Sequence, residues 1–433
     1  MSPLDKILVI GSGIAGMEAS LMLSKAGKKV YLVERLPLIG GNTIKTGESF
    51  PNMECSTCLV APIQQEILQD KNIEVMTVSN VEKVSGKTGN FAVSITKKAR
   101  YVNIAACLGC GMCYPVCPIT QPNNWEQNLV EKKAIYVECA GSLPNVPVID
   151  PSLCLHLNGK GECNLCAEAC MFGAIDFLEV DELVEENFGA IIVATGFSTL
   201  DTQSVSQLGH GKIPGVYTAY EIERLLASNG PTEGLIVMRD GERVPQSIAI
   251  LHCVGRKEVG YCSNVCCSYP ARYAHFLREK VADVKIYDLY TDLCFPDKRY
   301  QKLNDETRKE KAKYIFHQGI DKLEVNEAGD MVEIKYFDEK GKQSSLKVDM
   351  LVLTMAITPS EGIEELSELL SIERDKFGFI YTPKDRIGSV STSREGIFVA
   401  GCAEGPKDIQ SSVLQGEAAV GQIMKLLNDK VER

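Results

Sequence analysis

The chain opens with a strand, a glycine turn and a helix. An apolar run from Ile7 to Ile10 stands directly before the G-x-G-x-x-G motif that extends from Gly11 to Gly16. Such a run is typical of a parallel strand covered on both faces. The turn lets the backbone approach a pyrophosphate, and Glu34, which ends the next predicted strand, is placed to bond ribose hydroxyls. The pattern predicts a dinucleotide site without distinguishing FAD from NAD.

Further apolar runs extend this α/β pattern along the chain. Strands are predicted at 30–33, 73–78, 190–197, 284–289, 348–356 and 396–405, with another beginning at 247, and helices at 269–280 and 410–429. Residues 91–96 alternate like an antiparallel edge strand. Between about 100 and 180 periodicity is weak and Cys and Pro are frequent. The sequence therefore predicts one large α/β body with a Cys-rich insertion.

Charge and hydropathy exclude several classes of protein. Asp and Glu number 57 against 46 Lys and Arg, which gives a net charge of −11. Nucleic-acid binding is not expected, since phosphate contacts need clustered basic residues. The sequence contains no run of about 18 apolar residues, so no transmembrane segment is expected. Residues 1–9 show no signal-peptide pattern, which favours the cytoplasm. Seventeen Cys in such a chain predict metal ligation, redox chemistry or inert buried thiols rather than a disulfide framework.

The first Cys cluster has the spacing of a bacterial ferredoxin. Cys107-x2-Cys110-x2-Cys113-x3-Cys117-Pro118 matches the run in which three thiolates hold one [4Fe–4S] cluster and the fourth ligates a second cluster. Thiolates suit iron because they are soft donors. A zinc ribbon is much less consistent with four Cys at this spacing.

A second cluster follows, with eight residues between its first two Cys where two are usual. Its members are Cys154, Cys163, Cys166 and Cys170. By the crossed ligand rule, the first iron–sulfur cluster is expected on Cys107, Cys110, Cys113 and Cys170, and the second on Cys154, Cys163, Cys166 and Cys117.

The remaining Cys leave more than one interpretation open. A third group, Cys253, Cys262, Cys266 and Cys267, matches no standard spacing, so a metal site and unligated thiols are equally consistent with it. Cys55-x2-Cys58 is consistent with a redox dithiol, with two ligands to a cluster completed elsewhere, or with packed thiols. Cys139 and Cys294 have no partner by spacing and are predicted to be structural, and Trp125 is predicted to pack within the insertion.

Two later motifs favour FAD. Ala194-Thr195-Gly196 and the segment 396–401 resemble the fingerprints of flavoprotein disulfide reductases, although Cys402 stands where that family usually has Asp. The middle βα unit carries no second glycine triplet. A nicotinamide site is therefore not expected.

Several motifs together resemble the heterodisulfide reductase A subunits, a flavin-based electron-bifurcating family related to the A subunits of quinone-interacting membrane-bound oxidoreductases. The likeness spans nearly the whole chain. Its marks are SFPNMECSTCLVAP at 49–62, CLGCGMCYPVCP at 107–118, YCSNVCC at 261–267 and FVAGCAEGPKDI at 398–409.

The resemblance implies a thioredoxin-reductase-like FAD-binding Rossmann body, a vestigial NAD-type βα domain and an inserted domain with two [4Fe–4S] clusters. It also implies a third cluster on the group from Cys253 to Cys267 and makes Cys402 a family trait. The expected boundaries are FAD-binding parts at 1–99, 183–245 and 347–433, a ferredoxin-like domain at 100–182, and an NAD-domain-like unit at 246–346.

The implied function is electron transfer between FAD and [4Fe–4S] clusters within a heterodisulfide-reductase-like complex, with or without bifurcation. Arg272 stands where relatives commonly carry a Lys near the flavin, and an Arg cannot donate a proton at neutral pH. The alternatives are a non-bifurcating, quinone-linked oxidoreductase component, a stand-alone FAD-dependent dithiol reductase using Cys55 and Cys58, and a scaffold that the cofactors only stabilise.

Candidate residues and partners follow from these motifs and from the resemblance. Arg272, Cys55 and Cys58 are the catalytic candidates. The expected FAD-binding residues are Gly11, Gly13, Ile14, Ala15, Gly16, Glu34, Arg35, Gly40, Gly41, Asn42, Ala194, Thr195, Gly196, Gly401, Cys402, Lys407, Asp408 and Ile409. The expected partners are B- and C-like subunits, a ferredoxin or a hydrogenase or dehydrogenase module, and a second copy of the chain. Relatives carry further cluster domains at both ends, so separate polypeptides are expected to supply them.

Overall fold

The computed structural model describes residues 2–281, 283–295, 297–309, 312–383 and 390–431. The helices in these ranges are α1 (Ile14–Lys25), α2 (Ser56–Gln69), α3 (Leu165–Glu168), α4 (Ala219–Leu226), α5 (Arg256–Val259), α6 (Tyr269–Lys280), α7 (Lys298–Lys309), α8 (Ile363–Leu370) and α9 (Ile409–Val431). Short 3₁₀ helices lie at Pro3–Asp5, Gly41–Lys45, Thr202–Leu208, Cys266–Ser268, Ile320–Lys322 and Gly401–Ala403.

The strands alternate with these helices along most of the chain. They are β1 (Lys6–Ile10), β2 (Lys29–Val33), β3 (Glu48–Ser49), β4 (Glu54–Cys55), β5 (Ile73–Met76), β6 (Ser79–Lys87), β7 (Asn90–Lys97), β8 (Thr120–Pro122), β9 (Glu131–Lys133), β10 (Ile135–Tyr136), β11 (Val148–Ile149), β12 (Glu182–Phe188), β13 (Ala190–Val193), β14 (Phe197–Thr199), β15 (Val216–Thr218), β16 (Ser247–Val254), β17 (Lys285–Tyr290), β18 (Lys313–Phe316), β19 (Glu324–Ala328), β20 (Met331–Phe337), β21 (Gln343–Val348), β22 (Met350–Met355), β23 (Ile357–Pro359) and β24 (Ile397–Val399).

The first of two parallel sheets has five strands in the order β24-β13-β1-β2-β5. Successive side chains of β1 point to opposite faces, so both faces need cover. Ile7 and Val9 pack with Met17 of α1 and Ile423 of α9. Leu8 and Ile10 pack instead with residues of the antiparallel sheet β12-β7-β6. The predicted strand with cover on both faces and the helix that follows it are thus confirmed.

The second parallel sheet has the order β15-β22-β16-β17-β18 and repeats this construction. Ile248 and Ile250 pack on the side of α4 and α6, whereas Ala249 and Leu251 face the antiparallel sheet β19-β20-β21. The sheet lies in the chain between β13 and β24, so the first sheet is completed only near the C-terminus. Strands β15 and β22, which the expected boundaries assign to the FAD-binding parts, pair within the second sheet.

One predicted strand position is wrong, and the strands expected at 190–197 and 396–405 are only partly formed, as β13 and β24, with a short 3₁₀ helix at Gly401–Ala403. The segment 91–96, expected at a sheet edge, lies in β7, which pairs with both β6 and β12 and is central in its sheet. The side chains on one face of β7 are buried against the first sheet and those on the other face are more exposed. This alternation occurs in central strands as well as in edge strands when a sheet has only one covered face.

The Cys-rich insertion leaves the body at one point of this small sheet and returns at the same point. Lys97, the last residue of β7, is paired with Glu182, the first residue of β12. Between them the chain forms only short strands and the single turn α3. Its small core includes Cys113, Cys154 and Cys166 beside a few aliphatic side chains.

Candidate functional site

The glycine turn after β1 brings the backbone of three elements together. A Cβ at Gly11, whose φ is +100°, would stand 2.4 Å from the carbonyl oxygen of Ala194, and a Cβ at Gly16 would stand 2.0 Å from that of Gly11. Side chains are therefore excluded at both positions. Helix α1 begins at Ile14 with Gly13 as its N-cap and no capping side chain, so its free N–H groups face the loop.

Glu34 lies beside this turn, as the motif predicts. Its carboxylate is buried and accepts hydrogen bonds from the Ser12 backbone N–H at 2.9 Å, the Ser12 hydroxyl at 2.7 Å and the Leu36 N–H at 2.9 Å. These bonds hold the acid at the end of β2, next to the turn. It is thus positioned where the ribose of a nucleotide would lie.

A cavity of about 590 Å³ begins at the turn. Sixteen of the eighteen expected FAD-binding residues line it, and the two others, Gly16 and Gly40, lie behind its wall. A Cβ at Gly40 would stand 2.8 Å from the Gln64 amide nitrogen and from Ile44. These two glycines are therefore placed to permit packing behind the cavity.

The C-terminal wall of the cavity is formed by the segment between β24 and α9. The Cys402 thiol is buried and lies 3.3 Å from the carbonyl oxygen of Lys407, to which it donates, and burial raises the pKa of this thiol. The Lys407 ammonium donates to the carbonyl oxygens of Gly401 and Gly405 at 2.9 Å each. The Asp408 carboxylate accepts the Ser411 N–H at 2.7 Å and so caps α9.

Arg272 lies in the cavity wall, on α6, and is 2% exposed. Its guanidinium is paired with the Glu223 carboxylate and donates to the carbonyl oxygen of Glu48. The rings of Tyr269 and Phe50 lie 5.3 and 5.5 Å from it. Burial lowers the pKa of this guanidinium, yet the adjacent carboxylate neutralises its charge within the protein.

One part of the cavity lining was not anticipated from the sequence. Asn124, Trp125, Gln127, Lys132 and Glu138, all from the Cys-rich insertion, line the same cavity. Trp125 packs against the core of the first sheet, not only within the insertion as expected. No motif marks these residues, because they reach the cavity only when the insertion folds back onto the body.

The insertion is fixed in this position by a buried ion pair. The Arg224 guanidinium on α4 donates from Nε to Glu126 Oε2 at 2.7 Å and from Nη2 to Glu126 Oε1 at 3.1 Å. Arg224 is 0% exposed. A bidentate pair of this kind fixes orientation as well as distance.

Cys55 and Cys58 form a disulfide at the start of α2. Cys55 is the N-cap of this helix and accepts the Cys58 N–H at 3.3 Å, and Cys58 is exposed. Neither lines the cavity, but Cys55 pairs across β3 and β4 with Glu48, which does. Of the three catalytic candidates, only Arg272 lies in the cavity wall.

The structure brings together the Cys of the first ferredoxin-type set. Burial raises the pKa of the Cys113 thiol to about 11, and the nearby thiols of Cys107, Cys170 and Cys110 raise it further. The Gly109 N–H points to Cys107 Sγ at 3.4 Å and the Ala174 N–H to Cys170 Sγ at 3.3 Å. Cys170, distant in sequence, is therefore near the first run.

The second set lines a small apolar cavity of about 20 Å³. Its lining includes Cys117, Cys154, Cys163 and Cys166. Burial raises the pKa of the Cys166 thiol to about 12, with Cys154, Cys113 and Cys117 nearby. Cys117 thus faces the partner set rather than its own run.

The third group contains one more Cys than the spacing indicated. The Cys294 N–H points to Cys267 Sγ at 3.4 Å, and the thiols of Cys262 and Cys267 act on the Cys294 thiol electrostatically. Cys253 lies at the end of β16 with a φ of +58°. Beneath the group, His252 Nε2 stands 2.5 Å from Asp288 Oδ1, and both residues are buried.

Two kinds of feature are absent from the described ranges. No three Cys, His, Asp or Glu side chains in them are arranged to hold a single metal ion. Among the helices of the same ranges, none combines the length and apolar composition needed to cross a membrane.

Known proteins share parts of this architecture. Residues 6–99 match the family model of FAD dependent oxidoreductases. A thioredoxin reductase from Lactococcus lactis superposes with a TM-score of 0.52 at 15% identity, covering 98% of this chain and 99% of that one. At this identity the likeness shows the fold alone. It is the thioredoxin-reductase-like fold that the resemblance implied, and the family model supports FAD as the nucleotide.

Relatives of higher identity are found among curated sequences. The A subunit of the H(2):CoB-CoM heterodisulfide,ferredoxin reductase of Methanothermobacter marburgensis is 35% identical over 425 residues, which cover 96% of this chain and 63% of that protein. A protein of Archaeoglobus profundus, similar by name to the heterodisulfide reductase A subunits, is 37% identical over 468 residues, which cover 98% of this chain and 66% of that protein. The chain is therefore related, over nearly its whole length, to the A subunits of heterodisulfide reductases.

Proposed function

We propose that the chain is an FAD- and iron–sulfur-dependent electron-transfer subunit of a heterodisulfide-reductase-like complex. The observation that carries this proposal is the shared wall: the Cys-rich insertion lines the cavity that the glycine turn opens. Flavin and clusters would then lie in adjacent parts of one compact unit, which electron exchange between them requires. FAD supplies chemistry that the side chains cannot, because it accepts electrons in pairs and releases them singly.

The residues present fit FAD. The glycine turn excludes side chains where a pyrophosphate would approach, Glu34 stands at the ribose position, and aromatic rings also line the cavity. Gly401, Cys402 and Lys407 line the same cavity and would also contact the cofactor. In this arrangement the protein binds, orients and shields FAD from water.

The Cys sets fit two [4Fe–4S] clusters with crossed ligands. Cys107, Cys110, Cys113 and Cys170 would hold one, and Cys117, Cys154, Cys163 and Cys166 the other. A four-iron cluster binds each thiolate through a different iron, so its ligands surround a space instead of meeting at one point. The small cavity that all four Cys of the second set line has this form.

A third cluster on Cys253, Cys262, Cys266 and Cys267 is also part of the proposal. The four lie at the end of β16, in the following loop and in the short helix Cys266–Ser268. Cys294 lies in the loop after β17, and its backbone N–H points to Cys267 Sγ. Such N–H···S contacts tune a cluster's potential.

We propose electron relay as the basic activity and treat bifurcation as an additional property. The carboxylate of Glu223 pairs with Arg272, so this residue offers the flavin neither a free charge nor a proton at neutral pH. The names of relatives specify ferredoxin and CoB-CoM heterodisulfide as reaction partners. We propose a ferredoxin and a heterodisulfide as the electron acceptors of this chain's complex too.

The proposed partners are B- and C-like subunits, a ferredoxin or a hydrogenase or dehydrogenase module, and a second copy of the chain. The chain spans 53% to 66% of the length of the curated relatives it matches. Large apolar side chains are exposed on the insertion close to the proposed clusters, including Leu108, Met112, Met171 and Phe172. An electron-transfer partner covering this face would shorten the path to the clusters.

One observation favours a second candidate. Cys55 and Cys58 form a disulfide at the N-terminus of α2, a position typical of redox dithiols. Cys55 also pairs with Glu48, which lines the cavity. A stand-alone FAD-dependent dithiol reductase is therefore the alternative function. The quinone-linked oxidoreductase component shares the proposed cofactors and differs only in its acceptor.

The decisive experiment is an anaerobic count of iron, sulfide and FAD, followed by a redox titration with EPR detection. About 12 iron atoms per FAD are expected for three four-iron clusters, and about eight would remove the third site. Strongly crossed one-electron flavin potentials would support bifurcation, whereas evenly stepped potentials would support simple relay. A chain that binds FAD without iron would overturn the proposal in favour of the dithiol reductase.

A further inference from the structure

A buried imidazole lies beneath the third Cys group. His252 is 0% exposed and stands on β16 directly before Cys253. Its Nε2 faces Asp288 Oδ1 at 2.5 Å, and Asp288 is 2% exposed. The other ring nitrogen, Nδ1, is also buried and has no nitrogen or oxygen acceptor among the described residues. Because buried polar groups are normally hydrogen-bonded, Nδ1 indicates a partner of another kind.

The pleat of β16 directs this side chain toward helix α6. Ile250 packs on the side of α4 and α6, and His252, two residues further along the strand, faces the same way. Asp288 is the parallel partner of Ile250 on β17 and lies on that face too. The 3₁₀ helix Cys266–Ser268 leads directly into α6. His252 therefore points to the side of the sheet from which this short helix approaches.

A β-bulge brings the neighbouring residue to the same group. Between Leu251 and Val254 the register of β16 against β22 shifts by one residue. Cys253 lies within this bulge with a φ of +58°, and its thiol is close to that of Cys267. In a regular strand Cys253 would face away from His252. Because a bulge re-aims side chains, both residues can serve one site.

The Cys267 thiol is the group that the imidazole meets. Cys267 and His252 act on each other through a side-chain hydrogen bond and through charge. The same sulfur also faces the Cys294 N–H at 3.4 Å. Since Asp288 occupies Nε2, Nδ1 is the nitrogen that is left for the sulfur. An imidazole serves a carboxylate and a thiolate together only when both of its nitrogens carry a proton.

We propose that His252, held by Asp288, donates a hydrogen bond to the Cys267 ligand of the third cluster and raises the reduction potential of that cluster. The inference rests on the third cluster of the proposed function. Outer residues of this kind orient metal ligands and tune the bound group. Reduction adds one electron to the cluster, so its sulfur atoms become more negative and the N–H···S bond strengthens, while the proton stays on His252. His252 is therefore a positioning residue that acts through Cys267.

A redox titration with EPR detection tests this on the intact, anaerobic chain, with dithionite as the reductant. The signal of the third cluster is the one that Cys267→Ser lacks. His252→Gln removes the donor at the Nδ1 position but keeps an amide that reaches toward Asp288. We expect the equilibrium constant for one-electron reduction of the third cluster to fall about tenfold, because a hydrogen bond to a charged group is lost. The midpoint potential should then fall by about 59 mV. His252→Asn, whose amide nitrogen takes the place of Nδ1, should restore most of the potential.

His317→Asn is the matched control. His317 is equally buried and follows β18 of the same sheet, but its Nδ1 accepts the Gly319 N–H. The third-cluster potential of this variant should equal that of the wild type. The signals of the two ferredoxin-type clusters give an internal reference in every sample.

Iron content distinguishes this inference from the proposed function. A wild-type chain with about eight iron atoms per FAD would overturn the third cluster itself. With about 12 iron atoms present, a wild-type potential in His252→Gln, or an equal shift in His252→Gln and His252→Asn, would overturn only the inference. If His252→Gln lost the third cluster, a near-wild-type potential in His252→Asn would support the donor, and loss of the cluster from both variants would overturn it.

Discussion

At the scale of single residues, the immediate surroundings decide what each polar group can do. Arg272 and Lys45 both line the cavity, but Arg272 is buried and paired with a carboxylate, whereas Lys45 is half-buried and has no carboxylate within 4.0 Å among the described residues. Burial is a second influence, because it disfavours the charged form of a side chain. It raises the pKa of the Cys402 thiol for this reason. A residue type alone therefore indicates little about charge at this site.

Cys294 offers a test at this scale. Its contact with Cys267 comes from the backbone N–H, which a substitution of the side chain leaves in place. We expect Cys294→Ser to keep its iron content, whereas Cys267→Ser should lose about four iron atoms per chain. Iron analysis and EPR of the two variants check this. An equal loss from Cys294→Ser would make its thiol a ligand.

His317 predicts a pH effect. It is 0% exposed, its Nδ1 accepts the Gly319 N–H at 3.3 Å, and burial lowers its pKa to about 4. The unfolded chain binds a proton at this residue below about pH 6.5 while the folded chain does not, so stability is lost as the pH falls through that window. At pH 5 the loss should be about 2 kcal/mol.

His317→Asn should remove this acid sensitivity. We expect the thermal midpoint of the wild type to fall more between pH 7 and pH 5 than that of the variant, with the pH 7 values as internal reference. If the thermal midpoints of the wild type and the variant fell equally between pH 7 and pH 5, the prediction would be wrong, because His317 would then take up its proton in the folded chain as well.

At the scale of elements, the insertion behaves as part of the body. Its ends meet at the paired residues Lys97 and Glu182, and its interior returns to the cavity wall through Trp125. The Glu126–Arg224 ion pair holds this contact. The inserted segment thereby determines one side of the cavity as well as the positions of the Cys sets that are proposed to hold clusters.

Glu126→Gln should loosen that contact. Removing the carboxylate charge leaves the Arg224 guanidinium buried without a counter-ion, which costs about 3 kcal/mol or more. We expect a lower thermal midpoint and faster proteolysis within the insertion. The control is Glu131→Gln, an exposed position on the same segment. Similar midpoints for the two variants would mean that apolar packing alone holds the insertion.

At the scale of the whole molecule, the two five-stranded parallel sheets are built alike but differ in the turn that could bind a nucleotide. In the first sheet, β1 is followed by a glycine turn and the long helix α1. In the second sheet, β16 is followed by Gly255 and the four-residue helix α5. A single short turn supplies little of the N-terminal dipole that a pyrophosphate needs. The second sheet instead carries the third Cys group.

The chain is therefore expected not to oxidise NADH or NADPH. Either nucleotide should leave the flavin absorbance of the anaerobic FAD-loaded chain unchanged, and dithionite should bleach it as a positive control. Rapid bleaching by either nucleotide would place a nicotinamide site in this protein and favour the stand-alone reductase.

The sequence by itself determined the local parts of the protein. The strand, glycine turn and helix around Gly11 to Gly16 and the terminal helix lie where the patterns predict them, and the buried runs of both sheets do so at least in part. These features repeat at short, fixed intervals, because backbone geometry sets their period. The Cys spacings are local in the same sense, and the ligand sets drawn from them stay predictions.

Tertiary structure alone decided which distant residues meet. It made β7 central, paired β22 with β16, and placed Cys294 beside Cys267. It also brought the Lys45 ammonium over the ring of Trp125. Such contacts join segments tens to hundreds of residues apart, and they depend on how whole surfaces pack and not on any spacing along the chain.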